Sequence, residues 1–520
     1  MPEPTTDPAA LAAVVEDAAH FPGGHAASVV TPGDEAGIAA AVRAAPAVLA
    51  IGAQSSLTGG ATPFGELVVS TRRLNRILEE GPDFIRVQAG VTVAEIDQAL
   101  ERAGRYYPPG PTFTGAFAGG TVATNAAGAA TFKYGTTRDW VQAMTVVLPD
   151  GFVLDIRRGD TTAHPDGFFE LERAGAIVRV PVPRYAMPRV PKISAGYYAA
   201  PGMDLIDLFI GSEGTLGVVV DVTLRVLAAR PAACLAFIPF TRREQAIAFA
   251  GRVRTAARET RAGGDPAGID VSAIEHMDAR SLALVVEDGA DRRCGVSWPA
   301  ATAMALLVTL ELPPATTAAR AFEEIGAARE DAAPDTPLVR FCRLLDGEGR
   351  LECTAMAVPG DRSRAAQLLA LREAVPEAVN RRVGIAKQRD ARIEKTAADM
   401  IVPFDRVGEL LALYERELDR RGLDAAIWGH ISDGNLHPNV IPRSLADVES
   451  GKEAILLFGR EVIRMGGSPL AEHGVGRNPV KQQLLAELYG AAGIDQMRAV
   501  KRAIDPDGRM APGVLFRQSG

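Results

Sequence analysis

The chain has 520 residues, more than one hydrophobic core supports, so two or three domains are expected. A net charge of −8 and the lack of a long basic run argue against nucleic acid as a main partner. Four scattered cysteines without metal or redox spacing are typical of free thiols in a reducing compartment. The sequence shows no signal-peptide core and no apolar run near the ~20 residues of a membrane span. We therefore expect a cytoplasmic protein, and peripheral contact with the inner membrane stays open.

The first predicted elements lead into a loop of small residues. Thr31 and Pro32 are predicted to begin a helix, and a buried strand over residues 47–51 follows it. That strand runs directly into Gly52–Gly60, where backbone N–H groups can converge on an anion such as a pyrophosphate. The glycine spacing fits neither a Rossmann nor a P-loop pattern, and an ordinary surface turn is the alternative.

A second stretch of small residues spans Pro109–Gly128, after predicted strands at 67–70 and 84–88 and a helix capped by Thr92 and Glu95. The stretch has almost no charge. It suits a backbone wall against a large flat ligand, which bulky side chains would block. A flexible linker is the alternative, but the interleaved valine, threonine and phenylalanine residues favour packed structure.

The rest of the first half is predicted to contain a hairpin, a long irregular segment and a third glycine-rich block. A turn at 149–151 joins the two strands of the hairpin. Residues 157–198 are rich in proline and are predicted to be irregular. Gly211–Gly217 then restores the tight glycine pattern before a strand at 218–226, and the first domain is predicted to close near Ala228.

Beyond that point helices and strands alternate. Helices are predicted at 242–255, 317–329 and 362–373, and a strand at 305–311. The alternation is typical of a separate α+β domain.

Two histidines flank a predicted tight turn. Asp433 and Gly434 signal a two-residue type I′ turn, because both central positions of that turn need positive φ. Counting outward from the turn, His430 faces His437, with β-carbons roughly 5 Å apart on one face of the ribbon. Two such imidazoles can share one divalent metal, and strand alternation puts Asn439 on the same face. Two structural histidines beside a turn are the alternative.

A second dense cluster supplies Glu472 and His473. Two histidines and one carboxylate leave an open position on zinc or manganese for a substrate. His473 then remains as a base.

Three glycine-rich blocks in this order resemble the vanillyl-alcohol oxidase/p-cresol methylhydroxylase superfamily of FAD enzymes. The blocks are Ile51–Gly60, Gly115–Asp139 and Gly211–Gly217. Within that superfamily, His430–Asn439 together with Glu472–Gly476 resembles the branch of D-lactate dehydrogenase, D-2-hydroxyglutarate dehydrogenase and the glycolate oxidase flavin subunit. The resemblance covers nearly the whole chain. The segment at 160–190 looks longer than usual, which leaves the substrate open.

The resemblance implies an α+β fold in three parts. Residues 1–228 would form a two-subdomain FAD-binding domain of the vanillyl-alcohol oxidase type. Residues 229–465 would form an α+β cap (substrate) domain with an antiparallel sheet and the metal hairpin. Residues 466–520 would be a C-terminal segment that returns to the FAD domain. A homodimer is left open.

The resemblance also assigns residues to the site. The residues implied to bind FAD are Gly52, Ala53, Gln54, Ser55, Ser56, Leu57, Thr58, Gly59, Thr112, Gly119, Gly120, Thr121, Thr124, Asn125, Gly128, Tyr134, Gly135, Glu213, Gly214, Gly217, Val219 and Asn478. No histidine lies in the first two blocks, where some relatives tether the flavin, so non-covalent FAD is predicted. The implied metal ligands are His430, His437 and Glu472, for zinc, with manganese or iron as alternatives.

The implied catalytic residues are His473, Arg372, Asn439 and Lys395. His473 matches the base and Asn439 a substrate contact. Arg372 matches an arginine that grips the substrate carboxylate, with a solvated charge as the alternative. Lys395 matches a second cationic contact, although its spacing to Asp399 differs from the family pattern.

The function implied is a dehydrogenase that depends on FAD and a metal and oxidises a D-2-hydroxy acid such as D-lactate, D-2-hydroxyglutarate or glycolate. The metal would orient the substrate and lower the pKa of its hydroxyl, and hydride would pass from C2 to the flavin N5. A quinone, a cytochrome or an electron-transfer flavoprotein would take the electrons. The alternatives are an oxidase that uses oxygen or another alcohol, an enzyme like alkylglycerone-phosphate synthase, a metallohydrolase without flavin, and a non-catalytic binding protein.

Overall fold

The computed structural model describes residues 3–111, 113–173 and 175–517. The strands are β1 Ser28–Val30, β2 Val48–Ile51, β3 Leu67–Ser70, β4 Ile77–Glu80, β5 Phe84–Gln88, β6 Arg105–Tyr106, β7 Val141–Val147, β8 Val153–Arg157, β9 Phe168–Arg173, β10 Ala176–Pro181, β11 Val218–Arg225, β12 Leu227–Ala228, β13 Ala232–Phe240, β14 Asp270–Asp278, β15 Met304–Leu312, β16 Ala355–Ala357, β17 Thr396–Ala397, β18 Met400–Ile401, β19 Ala425–Gly429 and β20 Asn435–Val440.

The helices are α1 Pro8–Ala12, α2 Glu35–Ala44, α3 Val93–Arg102, α4 Ala118–Ala123, α5 Thr131–Tyr134, α6 Ile206–Phe209, α7 Arg243–Gly263, α8 Ala279–Glu287, α9 Ala290–Arg293, α10 Ala318–Ala327, α11 Pro337–Gly347, α12 Arg362–Arg389, α13 Val407–Arg420, α14 Leu445–Arg464 and α15 Pro479–Ile504. Helix α15 is interrupted at Gly490, whose φ is 67° and ψ 175°. The mixture of helices and sheets confirms the predicted α+β class. Across the described residues, no helix combines the length and apolarity that crossing a bilayer requires.

The chain forms two compact units. The first unit comprises Met1–Gly128, Gly135–Ala228 and Ser468–Gly520, and the second comprises Ala129–Tyr134 and Ala229–Gly467. Short helix α5 therefore belongs to the second unit, although its neighbours in sequence belong to the first.

The first unit contains two main sheets. A parallel sheet has the strand order β1-β3-β2, and an antiparallel sheet has the order β4-β5-β11-β7-β8. Ile38 and Val42 on α2 are fully buried and pack in one apolar core with residues of both sheets, including Val69 and Val218. The C-terminal tail joins the edge of β2, where the N–H of Ala511 donates to the Val48 carbonyl at 2.7 Å.

Side-chain caps mark where helices α2 and α3 begin. Helix α3 has the predicted capping box of Thr92 and Glu95. Helix α2 does not begin at Thr31 as predicted. Its cap is Asp34, whose carboxylate accepts the N–H of Gly37 at 2.8 Å, and a carboxylate is as good a cap as a hydroxyl.

The segment predicted to be irregular contains an ordered hairpin. Strands β9 and β10 pair antiparallel, with Arg173 opposite Ala176, and β10 packs on helix α15. The prediction missed this hairpin because its strands are flanked by proline and carry exposed charges, which mask the alternation of a half-buried strand.

The second unit is built on one antiparallel sheet with the order β16-β13-β15-β14-β19-β20-β17, and β18 also pairs with β20. Helix α12 extends well beyond its predicted end at Glu373 and continues through Pro376. Its buried residues Leu371, Val375 and Val379 pack in the core of the unit, and this burial outweighs the backbone hydrogen bond that proline removes. Helix α7 begins one residue later than predicted, and Arg242 at its start makes no side-chain cap.

Candidate active site

A cavity in the first unit is walled by the three glycine-rich blocks. The predicted cofactor residues that line it are Gly52, Ala53, Gln54, Ser55, Ser56, Leu57, Gly119, Gly120, Thr121, Thr124, Glu213, Gly214, Gly217 and Val219. The predicted residues outside this lining are Thr58, Gly59, Asn125, Gly128, Tyr134, Gly135 and Asn478. Thr112 lies outside the described residues. The fold thus gathers most of the residues that the resemblance assigned to FAD around one space.

Glycine serves this wall in two opposite ways. A β-carbon added at Gly217 would lie 2.6 Å from Cγ1 of Val146 and 2.8 Å from the Val147 carbonyl oxygen, so the backbone packs directly on strand β7. A β-carbon at Gly120 or Gly214 would meet nothing within 4 Å, and both residues line the cavity. Gly217 therefore lets the cavity wall pack closely on strand β7, which is the back of the wall. Gly120 and Gly214 leave open space on the cavity side, which is the front of the wall, as a flat ligand requires.

The loop after β2 is held in shape by Gln54. This residue has a positive φ of 51°, and its side-chain amide donates to the carbonyl oxygens of Val14 at 3.0 Å and Ala61 at 2.9 Å. The Gln54 amide thus links the loop to the backbone of Val14 and Ala61. Because of these two hydrogen bonds, the predicted pyrophosphate-binding loop has a curved backbone before any ligand binds.

Two predicted cofactor residues hold the backbone in this structure. Asn125 has a φ of 48°, and its side-chain oxygen accepts the N–H of Arg138 at 2.9 Å. Asn478 caps helix α15 by accepting the N–H groups of Val480 at 3.0 Å and Lys481 at 3.2 Å. Contact of either residue with FAD stays a prediction.

Tyr134 is placed in the second unit. Its hydroxyl donates to Glu311 at 2.7 Å, beside the ion pairs of Lys133 with Glu311 and, at 2.5 Å, with Asp270. A role for Tyr134 at the flavin stays a prediction.

Glu472 and His473 line the same cavity as the glycine-rich blocks. Oε1 of Glu472 lies 3.4 Å from Nε2 of His473. The loop that follows is fastened to the cavity wall, because the N–H groups of Val475 and Gly476 each donate to the Glu213 carboxylate at 2.8 Å. Burial raises the pKa of Glu213 to about 7, and the two N–H donors act in the opposite direction. Glu472 and His473 therefore form a carboxylate–imidazole pair in the wall of the cavity predicted to bind FAD.

Sequence reasoning missed Lys192. Its side chain is fully buried, and Nζ donates to Oε2 of Glu472 at 3.0 Å. One feature of the sequence could have indicated that Lys192 is buried. It directly precedes the uncharged run Ile193–Tyr197, and a solvated lysine rarely borders such a run. Its partner could not be read from the sequence, because 280 positions separate the two residues.

In the second unit the histidine hairpin differs from its prediction. Trp428, and not His430, lies opposite His437 in the pairing of β19 with β20. Gly434 has a positive φ of 86°, but Asp433 does not, so the predicted type I′ turn is wrong. A five-residue loop over 430–434 joins the strands instead.

Tertiary pairing explains the longer loop. Strand β18 pairs with the start of β20, and the N–H of Val402 donates to the Gly434 carbonyl at 3.1 Å. A β-carbon at Gly434 would lie 2.1 Å from the Val402 oxygen, so this close approach needs glycine. The rings of His430 and His437 are neighbours nevertheless, with centroids 5.5 Å apart and an interplanar angle of 88°.

A carboxylate lies beside each of these imidazoles, that of Asp399 buried and that of Glu275 partly buried. Oδ1 of Asp399 is 3.4 Å from Nδ1 of His437 and accepts the side-chain amide of Asn435 at 2.9 Å. Oε2 of Glu275 is 3.7 Å from Nδ1 of His430. Histidines that bind a metal typically have such a carboxylate at the second ring nitrogen, so this donor set fits a metal site.

Arg372 is buried, at 7% exposed, so the alternative of a solvated charge is wrong. Its guanidinium pairs with Glu275 and, at 3.0 Å, with Glu373. Burial raises the pKa of Glu275, but Arg372 and the nearby histidines outweigh this effect and hold it below its ordinary value. A grip of Arg372 on a substrate carboxylate stays a prediction.

Asn439 and Lys395 have polar groups that the described part of the chain leaves without a partner. The Asn439 amide donates to the His437 carbonyl at 3.0 Å, but its buried oxygen has no hydrogen-bond partner among the described residues. Burial lowers the pKa of Lys395 to about 8, and within the described residues this lysine makes no ion pair. Buried polar groups are rarely left unsatisfied, so both fit contacts to a ligand.

Two family matches cover most of the chain. Residues 239–515 match the family described as FAD linked oxidases, C-terminal domain, and residues 26–157 match an FAD binding domain. The chain belongs to the FAD-linked oxidases. It is therefore an oxidoreductase with an FAD-binding domain. The predicted superfamily branch is confirmed, since named relatives fall within it.

Three relatives show the range of this similarity. The D-lactate dehydrogenase of Anaerostipes hadrus is 26% identical over 474 residues, which cover 89% of this chain and 83% of the relative. The D-2-hydroxyglutarate dehydrogenase of Xanthomonas citri pv. viticola is 29% identical over 501 residues, or 94% and 89% of the two chains. The glycolate oxidase subunit GlcD of Bacillus subtilis is 27% identical over 475 residues, or 89% and 83%.

A solved structure of alkyldihydroxyacetonephosphate synthase has the same fold. It superposes with a TM-score of 0.62 and 16% sequence identity, covering 98% of this FAD-linked oxidase and 82% of the synthase. At this identity the likeness shows the fold alone.

Proposed function

We propose that this FAD-linked oxidoreductase is a dehydrogenase that oxidises a D-2-hydroxy acid to the 2-oxo acid with the help of a divalent metal. The observation that carries the proposal is the Glu472–His473 pair in the wall of the cavity predicted for FAD. A proton acceptor in that wall is what the oxidation of an alcohol requires. The names of the three relatives support the same substrate class.

His473 is proposed as the general base that removes the proton of the substrate hydroxyl. Glu472 supports this role, because its Oε1 lies 3.4 Å from Nε2 of the imidazole and can orient the ring and stabilise its protonated form. FAD, when bound, supplies a two-electron acceptor for the hydrogen on C2. The glycine-rich blocks would hold it without a covalent bond.

The proposed metal ligands are His430, His437 and Glu472, as the resemblance implies. Two imidazoles and one carboxylate suit zinc, with manganese or iron as alternatives. The carboxylates of Asp399 and Glu275 beside the two rings support the proposal. A metal there would polarise the hydroxyl and orient the substrate.

The proposed substrate contacts are Arg372, Asn439 and Lys395. The unpaired oxygen of Asn439 and the unpaired ammonium of Lys395, both assessed within the described residues, are the supporting observations. Contacts of this kind would orient the 2-hydroxy acid for reaction, which is a large part of the catalytic effect. The proposed electron acceptor is a quinone, a cytochrome or an electron-transfer flavoprotein.

Anaerobic bleaching of the flavin tests the proposal. The purified flavin-loaded chain is mixed with matched D- and L-2-hydroxy acids of different side chains, and its metal content is measured on the same sample. We expect bleaching by D-acids, or by glycolate, and about one metal per chain. A flavin that no 2-hydroxy acid bleaches would overturn the substrate class. A bleaching protein that contains no metal would overturn the metal dependence alone.

A further inference from the structure

Lys192 is the most deeply buried ammonium group of the first unit that the proposed reaction does not use. Its side chain is 0% exposed, and its described contact is the 3.0 Å hydrogen bond to Oε2 of Glu472. A buried ammonium loses its hydration, so such a lysine is kept only where it pairs with an opposite charge. The pairing with a carboxylate of the cavity wall therefore offsets part of the cost of burying this ammonium group.

The backbone that carries Lys192 is tied to the cavity wall. Ser194 donates from its hydroxyl to the Thr124 carbonyl at 3.1 Å, and from its N–H to the Leu470 carbonyl at 3.2 Å. The hydroxyls of Tyr197 and Thr215 are hydrogen-bonded at 2.7 Å. The contacts reach three separate stretches of the first unit, so Lys192 projects from an anchored segment.

The two oxygens of Glu472 have different neighbours. Oε2 accepts from Lys192 at 3.0 Å, and Oε1 lies 3.4 Å from Nε2 of His473. A glutamate side chain has three rotatable torsions, so a carboxylate without the lysine would have several orientations available. The hydrogen bond from Lys192 favours the orientation in which the second oxygen faces the imidazole.

We propose that Lys192 is a positioning residue of this site, which holds Glu472 by one oxygen so that the other oxygen orients the His473 imidazole. The catalytic consequence rests on the proposed function, whereas the effect on the imidazole does not. The alternative is a purely structural ion pair, which would stabilise the fold without setting the orientation of His473.

The test uses the full-length flavin-loaded protein with Lys192→Met. Two readouts are taken: the limiting rate of anaerobic flavin bleaching by a D-2-hydroxy acid, and the Cε1 resonance of His473 in protein labelled with ¹³C-histidine. His473→Gln assigns that resonance by its disappearance. We expect a limiting rate lower by about 10–100-fold, the range typical of lost orienting partners, with little change in the half-saturating substrate concentration. The His473 resonance is expected to shift.

Lys501→Met is the matched control. Lys501 is a second largely buried lysine of the first unit. Its Nζ lies 2.8 Å from Oδ2 of Asp505 and donates to the carbonyls of Thr215 at 2.9 Å and Met510 at 2.8 Å, and none of these three residues lines the cavity. Its loss is expected to lower the thermal stability but to leave the rate per bound flavin and the His473 resonance unchanged. Equal changes in both variants would overturn the proposal, because they would be a general effect of losing a buried lysine.

The outcomes separate the two proposals. If no 2-hydroxy acid bleaches the wild-type flavin, the proposed function fails, and the resonance alone decides the role of Lys192. If bleaching occurs but Lys192→Met leaves both readouts unchanged, only the role of Lys192 fails. Should Lys192→Met not fold, Lys192→Arg decides. Arginine keeps the charge but carries it on a longer, planar group with a different donor geometry, so Glu472 has to shift to accept from it. An altered resonance supports the proposal and an unchanged one overturns it.

Discussion

The loop that carries Glu472 and His473 and the loop that carries His430 are held in place by different forces. Side chains from distant parts of the first unit hold the former: the Glu213 carboxylate binds two backbone N–H groups, and Lys192 binds Glu472. Backbone pairing of β18, β19 and β20 mainly holds the latter, and the Nε of Arg254 adds a hydrogen bond to the Ser432 carbonyl at 2.6 Å. The position of the first loop should therefore respond to side-chain substitutions, whereas substitutions in the second should change the chemistry of the ligands and leave the backbone intact.

The largest effect is expected from His473→Gln. Loss of a general base typically lowers the rate by about 10²–10⁴-fold, and glutamine keeps the size and polarity of the side chain. Stopped-flow bleaching of the flavin by a D-2-hydroxy acid measures this rate, and the flavin absorbance checks that the cofactor is retained. A rate within a factor of two of the wild type would remove His473 from the mechanism.

His437→Gln tests the second loop. We expect a metal affinity lower by about 100-fold, with an unchanged circular dichroism spectrum, because the backbone ladder of β20 does not depend on the imidazole. Elemental analysis after dialysis gives the metal content. His164→Gln, at a half-exposed histidine of the first unit, is the control and should keep the wild-type metal content. Equal metal content in both variants would contradict the ligand assignment.

A pair of glycine substitutions separates the front of the cavity wall from its back. Gly120→Val adds a side chain that meets open cavity, so we expect normal folding but FAD binding weaker by about tenfold or more. Gly217→Ala forces a β-carbon against Val146 and the Val147 carbonyl, so a loss of about 1–3 kcal/mol in the free energy of unfolding is expected. Equilibrium dialysis of FAD and urea denaturation measure the two effects. Normal FAD affinity in Gly120→Val would show that the flavin lies elsewhere.

The smallest effect concerns pH and Glu213. Its folded-state pKa of about 7 lies above the ordinary 4.5, so the folded state binds more protons than the unfolded state between those values. The contribution of Glu213 to the free energy of unfolding is fully present below pH 4.5 and is lost as the pH rises through about 7. In Glu213→Gln we expect the decline of the free energy of unfolding across this window to shrink by about 1–3 kcal/mol.

Urea denaturation of the flavin-free protein at several pH values between 4.5 and 7.5 measures that decline, since Glu213 lines the cavity in which the flavin would alter its environment. Parallel stability curves for the wild type and Glu213→Gln would show that this carboxylate does not titrate in the window.

Local patterns predicted the parts of this fold that depend on neighbouring residues. Strand β3 at Leu67–Ser70, strand β5 at Phe84–Gln88 and the capping box of α3 have their predicted bounds or contacts. Each depends on residues only a few positions apart, because alternation and capping are properties of a short stretch. The end of α12 was wrong for the same reason: Pro376 suggests a break locally, but apolar packing over the next turns outweighs it.

The amino-acid sequence by itself determined the family, the α+β class and the glycine-rich wall of the cavity, because glycine spacing and hydrophobic periodicity describe conformations that each short segment adopts alone. Only the tertiary structure decided the register of the histidine hairpin and the pairing of Lys192 with Glu472. In the hairpin, the hydrogen bonds offered by β18 override the local preference of Asp433 and Gly434 for a tight turn. In the cavity wall, a buried ammonium needs an opposite charge, and the partner that the fold supplies is 280 positions away.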